Sequence, residues 1–319
     1  MSSKSSVLEV TAPGVRSRRR LLHPRTLWAY LFVSPAILAL LLFTVGPILF
    51  TLWVSVHNWN LIEPISQMPF VGLENYRYLL TRDAVFQRAL RNTFVFTICG
   101  VGTNTVLGLL GALLLNTRLR ARVFWRTLFF LPIVTAPLAL GMMWAVLLNK
   151  NYGLINNLLG LGGLPTQPFL SSPKQALACI IGVAVYQYVG YYIIIIYLAG
   201  LQGIPQEYYD AAAVDGASSW QSFRHITLPL LRPVLLFIAV TNTIGALQVF
   251  DIVFAATTGL AGETSGGGPA NSTMVVVLHM YNTAFKFFRM GRATAMAVIL
   301  FTIIFVITII QLRLLRERT

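Results

Sequence analysis

The sequence predicts an all-α membrane protein that crosses the bilayer six times. Three observations carry that expectation. Six apolar windows are long enough to span the hydrocarbon core, which takes about 20 helical residues. Only 11% of the 319 residues are charged and 56% are hydrophobic, whereas soluble domains carry about 25% charge. The mean hydropathy is +0.71. A disordered chain, a disulfide-stapled secreted domain and an ordinary cytosolic enzyme are all excluded.

The elements follow in order. Residues 1–26 form a polar tail with Arg16, Arg18, Arg19, Arg20 and Arg25, too poor in apolar side chains to build a core. The first span is Leu27–Val56. Its apolar stretch exceeds the 7–15 residues of a signal peptide and no A-x-A site follows, so it is read as an uncleaved anchor. The next five are Thr93–Leu115, Thr127–Leu148, Ala176–Gly200, Leu228–Ala256 and Ala293–Gln311. The six-helix domain thus occupies residues 27–312, and residues 313–319 are a second tail.

Orientation rests on Lys and Arg in alternate loops. The N-terminal tail, Thr117–Arg126, Leu201–Pro233 and the C-terminal tail hold six, four, two and three, or 15 together. The other set, His57–Arg91, Asn149–Gln175 and Thr257–Arg292, holds four, two and three, or 9. Positive charge collects on the cytoplasmic side, so both termini are expected there. The same rule, with anionic lipid, accounts for the net charge of +14 without nucleic acid.

Chemistry within the spans is sparse. Asp251, near the outer end of the fifth span, is the one acid close to a span, too little for an ion-coupled carrier. Cys99 and Cys179 lie in apolar runs and read as small hydrophobes. The four lysines, Lys4, Lys150, Lys174 and Lys286, never follow glycine, so no phosphate-cradling G-K-[ST] loop exists. His23, His57, His225 and His279 are scattered, and Gly266–Gly268 before Pro269 reads as a loop turn. No catalytic or metal-ligating residues are expected, and the energy source must lie on another chain.

One loop is unlike the rest. Between spans four and five, residues 204–229, Pro205 favours a helix start and Glu207 and Asp210 suit its first turns. Ala211, Ala212 and Ala213 are strong helix formers. Asp215-Gly216 signals a left-handed stop, and a second amphipathic helix follows with Trp220, Phe223 and Ile226. Pro229 opens the fifth span. The residues alone leave two readings: a hairpin resting on headgroups, or a small-residue face that enters a groove on a partner.

The spacing Asp210-Ala211-Ala212, Gly216, nine residues, then Ile226-Thr227-Leu228-Pro229 resembles the EAA loop. That loop, E-A-A-x-x-x-G then I-x-L-P, marks the membrane subunits of binding-protein-dependent ABC importers. Asp stands where that pattern has Glu, keeping the charge on a shorter stem. Phe70-Val-Gly72-Leu-Glu-Asn75-Tyr76, Arg91-Asn92-Thr93, Leu131-Pro132 and Gly267-Gly268-Pro269 resemble the carbohydrate permeases of the maltose and glycerol-3-phosphate type. So do Gly200–Pro205, Ala284-Phe285 and Met290-Gly291-Arg292-Ala293. Leu260–Ser265 looks like an insertion relative to that pattern.

The resemblance implies a type I ABC importer permease fold with a cytoplasmic coupling helix between helices four and five. It implies a multi-pass protein of the cytoplasmic membrane. Its expected partners are two copies of an ATP-binding subunit, a second and distinct homologous permease, an extracytoplasmic solute-binding protein and lipid, with no nucleic acid. ATP and Mg belong to the ATPase, and no cofactor to this chain. By resemblance, Glu207, Asp210, Ala211, Ala212, Asp215, Gly216, Ala217, Ile226, Leu228 and Pro229 form the coupling element. A sugar calls for aromatic faces and neutral hydrogen-bond partners at mid-membrane. Tyr188 and Tyr192, four apart and on one helix face, with Asn242 and Gln248, are the expected solute contacts; packing and interfacial roles are their bland alternative. A phosphorylated or other polar solute, such as glycerol-3-phosphate, is the alternative cargo. A stand-alone secondary carrier is the alternative from another class.

Overall fold

The computed structural model describes residues 24–117, 120–258 and 266–315. Most of the two tails, Arg118 and the Leu260–Ser265 insertion lie outside the described residues. The described residues form two units, divided between Phe50 and Thr51. In the first, helix α1 (Pro24–Leu40) runs into a single π turn, Leu41–Val45. Its side chains from Trp28 onward are almost all exposed and apolar, as a lipid-facing helix requires.

Among the described residues of the second unit the regular structure is helical, apart from a lone antiparallel bridge between His57 and Phe70. Helix α2 (Gly46–Ser55) ends at a polar knot. Asn75, on α3 (Glu74–Thr81), donates to the Ser55 and His57 carbonyls at 2.9 and 3.0 Å, and Tyr76 donates to Ser55 Oγ at 2.7 Å. Helix α4 (Ala84–Asn116) has 33 residues. At 1.5 Å per residue that is about 50 Å, more than the bilayer core.

The third expected span is broken. Helix α5 (Arg122–Val134) and α6 (Pro137–Leu147) meet at a bend of 96°. Pro137 cannot donate and drives the residue before it out of the helical region; Ala136 has φ −57°, ψ 131°. The carbonyl freed at Thr135 is not left bare. Gln187, 1% exposed, donates to it at 3.2 Å. Among the described residues five helices are therefore individually long and apolar enough to cross a membrane, six if the bent pair counts as one span.

After α7 (Leu154–Leu161), helix α8 (Ala176–Ile195) packs along α4 and α5. The approach is close because α4 presents glycine. A Cβ on Gly108 or Gly111 would lie 3.1 Å from Tyr192 Cβ or 2.5 Å from Ile193 Cδ1. Small residues let helices meet where lipid supplies no hydrophobic drive. A π turn (Ile196–Gly200) then leads to the 204–229 loop, which contains α9 (Gln206–Val214) and α10 (Ser219–Ser222).

The fifth expected span also needs correction. α10, a π turn (Phe223–Thr227) and α11 (Leu228–Leu247) form one helical run, Ser219–Leu247. Pro229 therefore sits inside the run and opens nothing. It cannot donate a hydrogen bond, and the widened turn just before it takes up the mismatch. The span ends at Leu247 rather than Ala256. Gln248–Phe250 break away, and Asp251 heads a separate short helix, α12 (Asp251–Thr257). α12 packs on α6, where a Gly141 Cβ would meet Ala255 Cβ at 2.8 Å.

The end of the unit remote from the 204–229 loop is tied by polar contacts. Thr257 Oγ1 accepts from Gly267 N–H at 2.9 Å. Gly266, Gly267 and Gly268 all have positive φ, and Pro269 follows. Asn92 donates to the Met274 carbonyl at 2.9 Å, and Thr93 Oγ1 accepts from Val276 N–H, the start of α13 (Val276–Tyr281), at 3.0 Å. α14 (Met290–Leu315) closes the bundle; a Cβ on Gly291 would collide with the His57 carbonyl.

Asp83 caps α4 by accepting from Phe86 N–H at 2.9 Å and lies 3.2 Å from His279 Nε2. Burial would raise its pKa. The His279 hydrogen bond and charge, with the Phe86 and Val85 amides, outweigh burial and hold the carboxyl below its usual 3.8. A lowered pKa stabilises the fold above that usual value, and the contribution is lost as pH falls through the native one. Acid is therefore expected to loosen the 274–281 segment below pH ~4. Asp83→Asn, which keeps the cap without the charge, should flatten that dependence in hydrogen exchange.

Candidate functional site

The 204–229 loop is built by local rules. Pro205, at φ −59°, precedes α9, whose first turn carries Glu207. Gln206 Nε2 donates to Asp210 Oδ1 at 3.1 Å. The helix stops in a Schellman motif. Gly216 has φ +75°, its N–H bonds to the Ala213 carbonyl at 3.1 Å, and the Ala217 N–H reaches back to Ala212 at 2.9 Å. Two residues on, Ser218 and Gln221 form a reciprocal capping box that starts the next run. Tyr209 and Thr227 share a hydrogen bond of 2.9 Å, pinning the surface helix to the π turn beneath.

The loop divides the ten expected coupling residues into two groups. Glu207, Asp210, Ala211, Asp215 and Gly216 are exposed, while Ala212, Ala217, Ile226, Leu228 and Pro229 are half-buried. Apolar side chains stand out beside the acids: Val214 is 88% exposed, Trp220 66% and Tyr208 53%. An acidic face studded with exposed apolar groups fits a protein partner better than headgroups, which attract basic residues.

The second feature is a cavity of ≈230 Å³ between α4, α8, α11 and the start of α12. Tyr188 and Tyr192 line it from α8, Asn242 from α11, and Gln248 from the break that follows. The four expected solute contacts thus border one space. Tyr188 is half-buried and Tyr192 6% exposed. Two further residues join them. Asn104, on α4, is 4% exposed and lines the same cavity. It is an amide in an apolar run, and that costly placement was the signal available in the sequence. Asp251 also lines the cavity, because the break after Leu247 redirects the chain.

The polar lining is unfinished. The Asn104 amide oxygen and Asn242 amide nitrogen are buried without a hydrogen-bond partner. Such orphaned groups typically cost about 1–3 kcal/mol each. An incoming hydroxyl can satisfy either. Among the described residues no Lys, Arg or His borders the cavity. Tyr186, on the next face of α8, instead packs edge-on against Trp144 with centroids 5.5 Å apart.

A helical membrane bundle with a cavity that carries a few polar groups, and with an exposed, sharply stopped surface helix, is the architecture of a membrane transport subunit. Residues 104–318 match the family described as "Binding-protein-dependent transport system inner membrane component", and the chain belongs to it. It is 34% identical over 293 residues to the trehalose/maltose transport system permease protein MalF of Thermococcus litoralis, covering 91% of this chain and 94% of the relative. It is 35% identical over 293 residues to the lactose transport system permease protein LacF of Rhizobium radiobacter, with coverages of 91% and 94%. A "probable ABC transporter permease protein", y4oQ of Sinorhizobium fredii, is 36% identical over 286 residues, 90% and 88% of the two chains. The fold matches a chain of a bacterial ABC transporter involved in import of the acidic polysaccharide alginate, with TM-score 0.78, 22% identity and coverages of 93% and 97%. The architecture is the type I importer permease fold.

Proposed function

We propose that this chain is the non-catalytic permease subunit of an ATP-driven importer that moves a sugar or oligosaccharide into the cytoplasm. Solute arrives from an extracytoplasmic binding protein. Two ATP-binding subunits, which hold ATP and Mg, drive the importer, and one of them docks on the cytoplasmic 204–229 loop. A second, homologous permease completes the pathway, and both termini lie in the cytoplasm. Residues 27–312 do the work, between two short tails.

One observation carries the reading. The loop leaves directly from α8 and returns directly into α11, the helices that bear Tyr188, Tyr192 and Asn242. Displacement of the loop by a partner therefore acts on both walls of the cavity at once. Glu207, Asp210, Asp215 and the alanine face are the docking surface; Ile226, Leu228 and Pro229 anchor it. The relatives named for trehalose/maltose and lactose transport support a sugar as cargo.

Affinity purification of tagged protein from its native membrane in mild detergent tests the assembly. Recovery of an ATPase and a second permease is expected. Recovery of this chain alone after cross-linking would favour a partner-free carrier. Tyr188→Ala with Tyr192→Ala is expected to lower transport efficiency about tenfold, from two lost aromatic contacts of about 0.5–1.5 kcal/mol each. Unchanged uptake kinetics and specificity remove both residues from the pathway.

A further inference from the structure

We infer that the cavity selects neutral polyhydroxylated solutes over anionic ones, and that Asp251 is the residue that makes the choice. The inference rests on the sugar reading above and narrows it. Three observations lead to it.

First, Asp251 borders the cavity and is an exposed residue, and among the described residues it has no ion-pair partner. It stands in the first turn of α12, where the helix dipole favours an acid, and it is the charged group in the cavity lining. Second, among the described residues no basic side chain lines the cavity to offset a negative solute. Third, the remaining polar groups are neutral. Tyr188 and Tyr192 line the cavity together with Asn104 and Asn242, whose orphaned amide atoms are one acceptor and one donor.

Ring hydroxyls can donate to the Asp251 oxygens and to Asn104, and accept from Asn242. A uronate or sugar phosphate brings its own charge against the carboxylate. Rejection through a like charge is a common way to build specificity. Asp251 thus binds the right solute through its hydroxyls and repels the wrong one through its charge.

The test places a thiol at Gly245, which lines the cavity and has nothing within 4 Å of a built Cβ. The background carries Cys99→Ala and Cys179→Ala, and the permease stays in its assembled importer. A neutral reagent, methyl methanethiosulfonate, reports access. The protecting probes are a pool of neutral trisaccharides (maltotriose, cellotriose, xylotriose) and a pool of uronic-acid trisaccharides at equal concentration. The neutral pool is expected to protect about tenfold better than the anionic pool, equivalent to about 1.4 kcal/mol. Asp251→Asn should admit the anionic pool, and Asp251→Glu should not. Equal protection by both pools with Asp251 intact overturns the selectivity and leaves the sugar reading standing. Exclusion of anions that survives Asp251→Asn overturns the role of this residue. Protection by neither pool, with the thiol still reactive, overturns the sugar reading and the inference with it.

Discussion

Gly216→Pro is expected to abolish solute-stimulated ATP hydrolysis and uptake while the protein still inserts and accumulates. Gly216 sits at φ +75°, and proline is locked near −65°. The substitution also removes the N–H that bonds to the Ala213 carbonyl, one of the two contacts of the Schellman stop. The local cost is about 3 kcal/mol or more. It falls on a surface turn with open space around it, whereas insertion is set by apolar spans that the change leaves untouched. Gly216→Ala should be intermediate, since a left-handed alanine costs about 1–2 kcal/mol. Solute-stimulated ATPase activity and membrane quantity, measured on the same preparations, separate the cases. Loss of insertion by Gly216→Pro would assign the glycine to folding rather than coupling.

The largest stability effect is expected at Gly190. A Cβ there would collide with the Phe129 carbonyl oxygen and stand 2.5 Å from its carbon. The obstacle is backbone, so no rotamer change relieves it; α5 must move off α8. Overpacking costs typically 1–3 kcal/mol, and a main-chain collision belongs at or above about 3 kcal/mol. The damage should reach the cavity, because α8 carries Tyr188 and Tyr192 two residues to either side. Gly190→Ala should lower the thermal midpoint in detergent by several degrees. Gly182→Ala and Gly245→Ala, where a Cβ meets nothing within 4 Å, should leave it nearly unchanged. A midpoint for Gly190→Ala equal to these controls means the crossing can relax and the helix contact is softer than described.

Much of the molecule was legible from residues because the rules involved are local. Windows of apolar residues at span length identify helices whatever they pack against. The 204–229 loop was readable for the same reason. A proline start, an acid in the first turn and a glycine at the left-handed stop are each satisfied within a few residues. The motifs quoted at the opposite end have equally specific explanations. Asn75 holds the end of α2, Asn92 and Thr93 hold the start of α13, and Gly291 lets α14 touch the His57 backbone. Those explanations needed the fold, since each joins segments far apart in the chain.

Composition and local pattern thus determined a multi-span helical protein with a stopped helix on one surface loop. The breaks inside two apolar runs were beyond that reading. Hydropathy does not register where a helix ends when both sides of the break are apolar. The 96° turn before Pro137 is possible because a distant Gln187 satisfies the Thr135 carbonyl, and lipid could not. The break after Leu247 carries Asp251 from the expected outer end of a span to the wall of the cavity. Where a backbone group finds its partner in a membrane is settled by tertiary packing, and that decided which polar side chains meet.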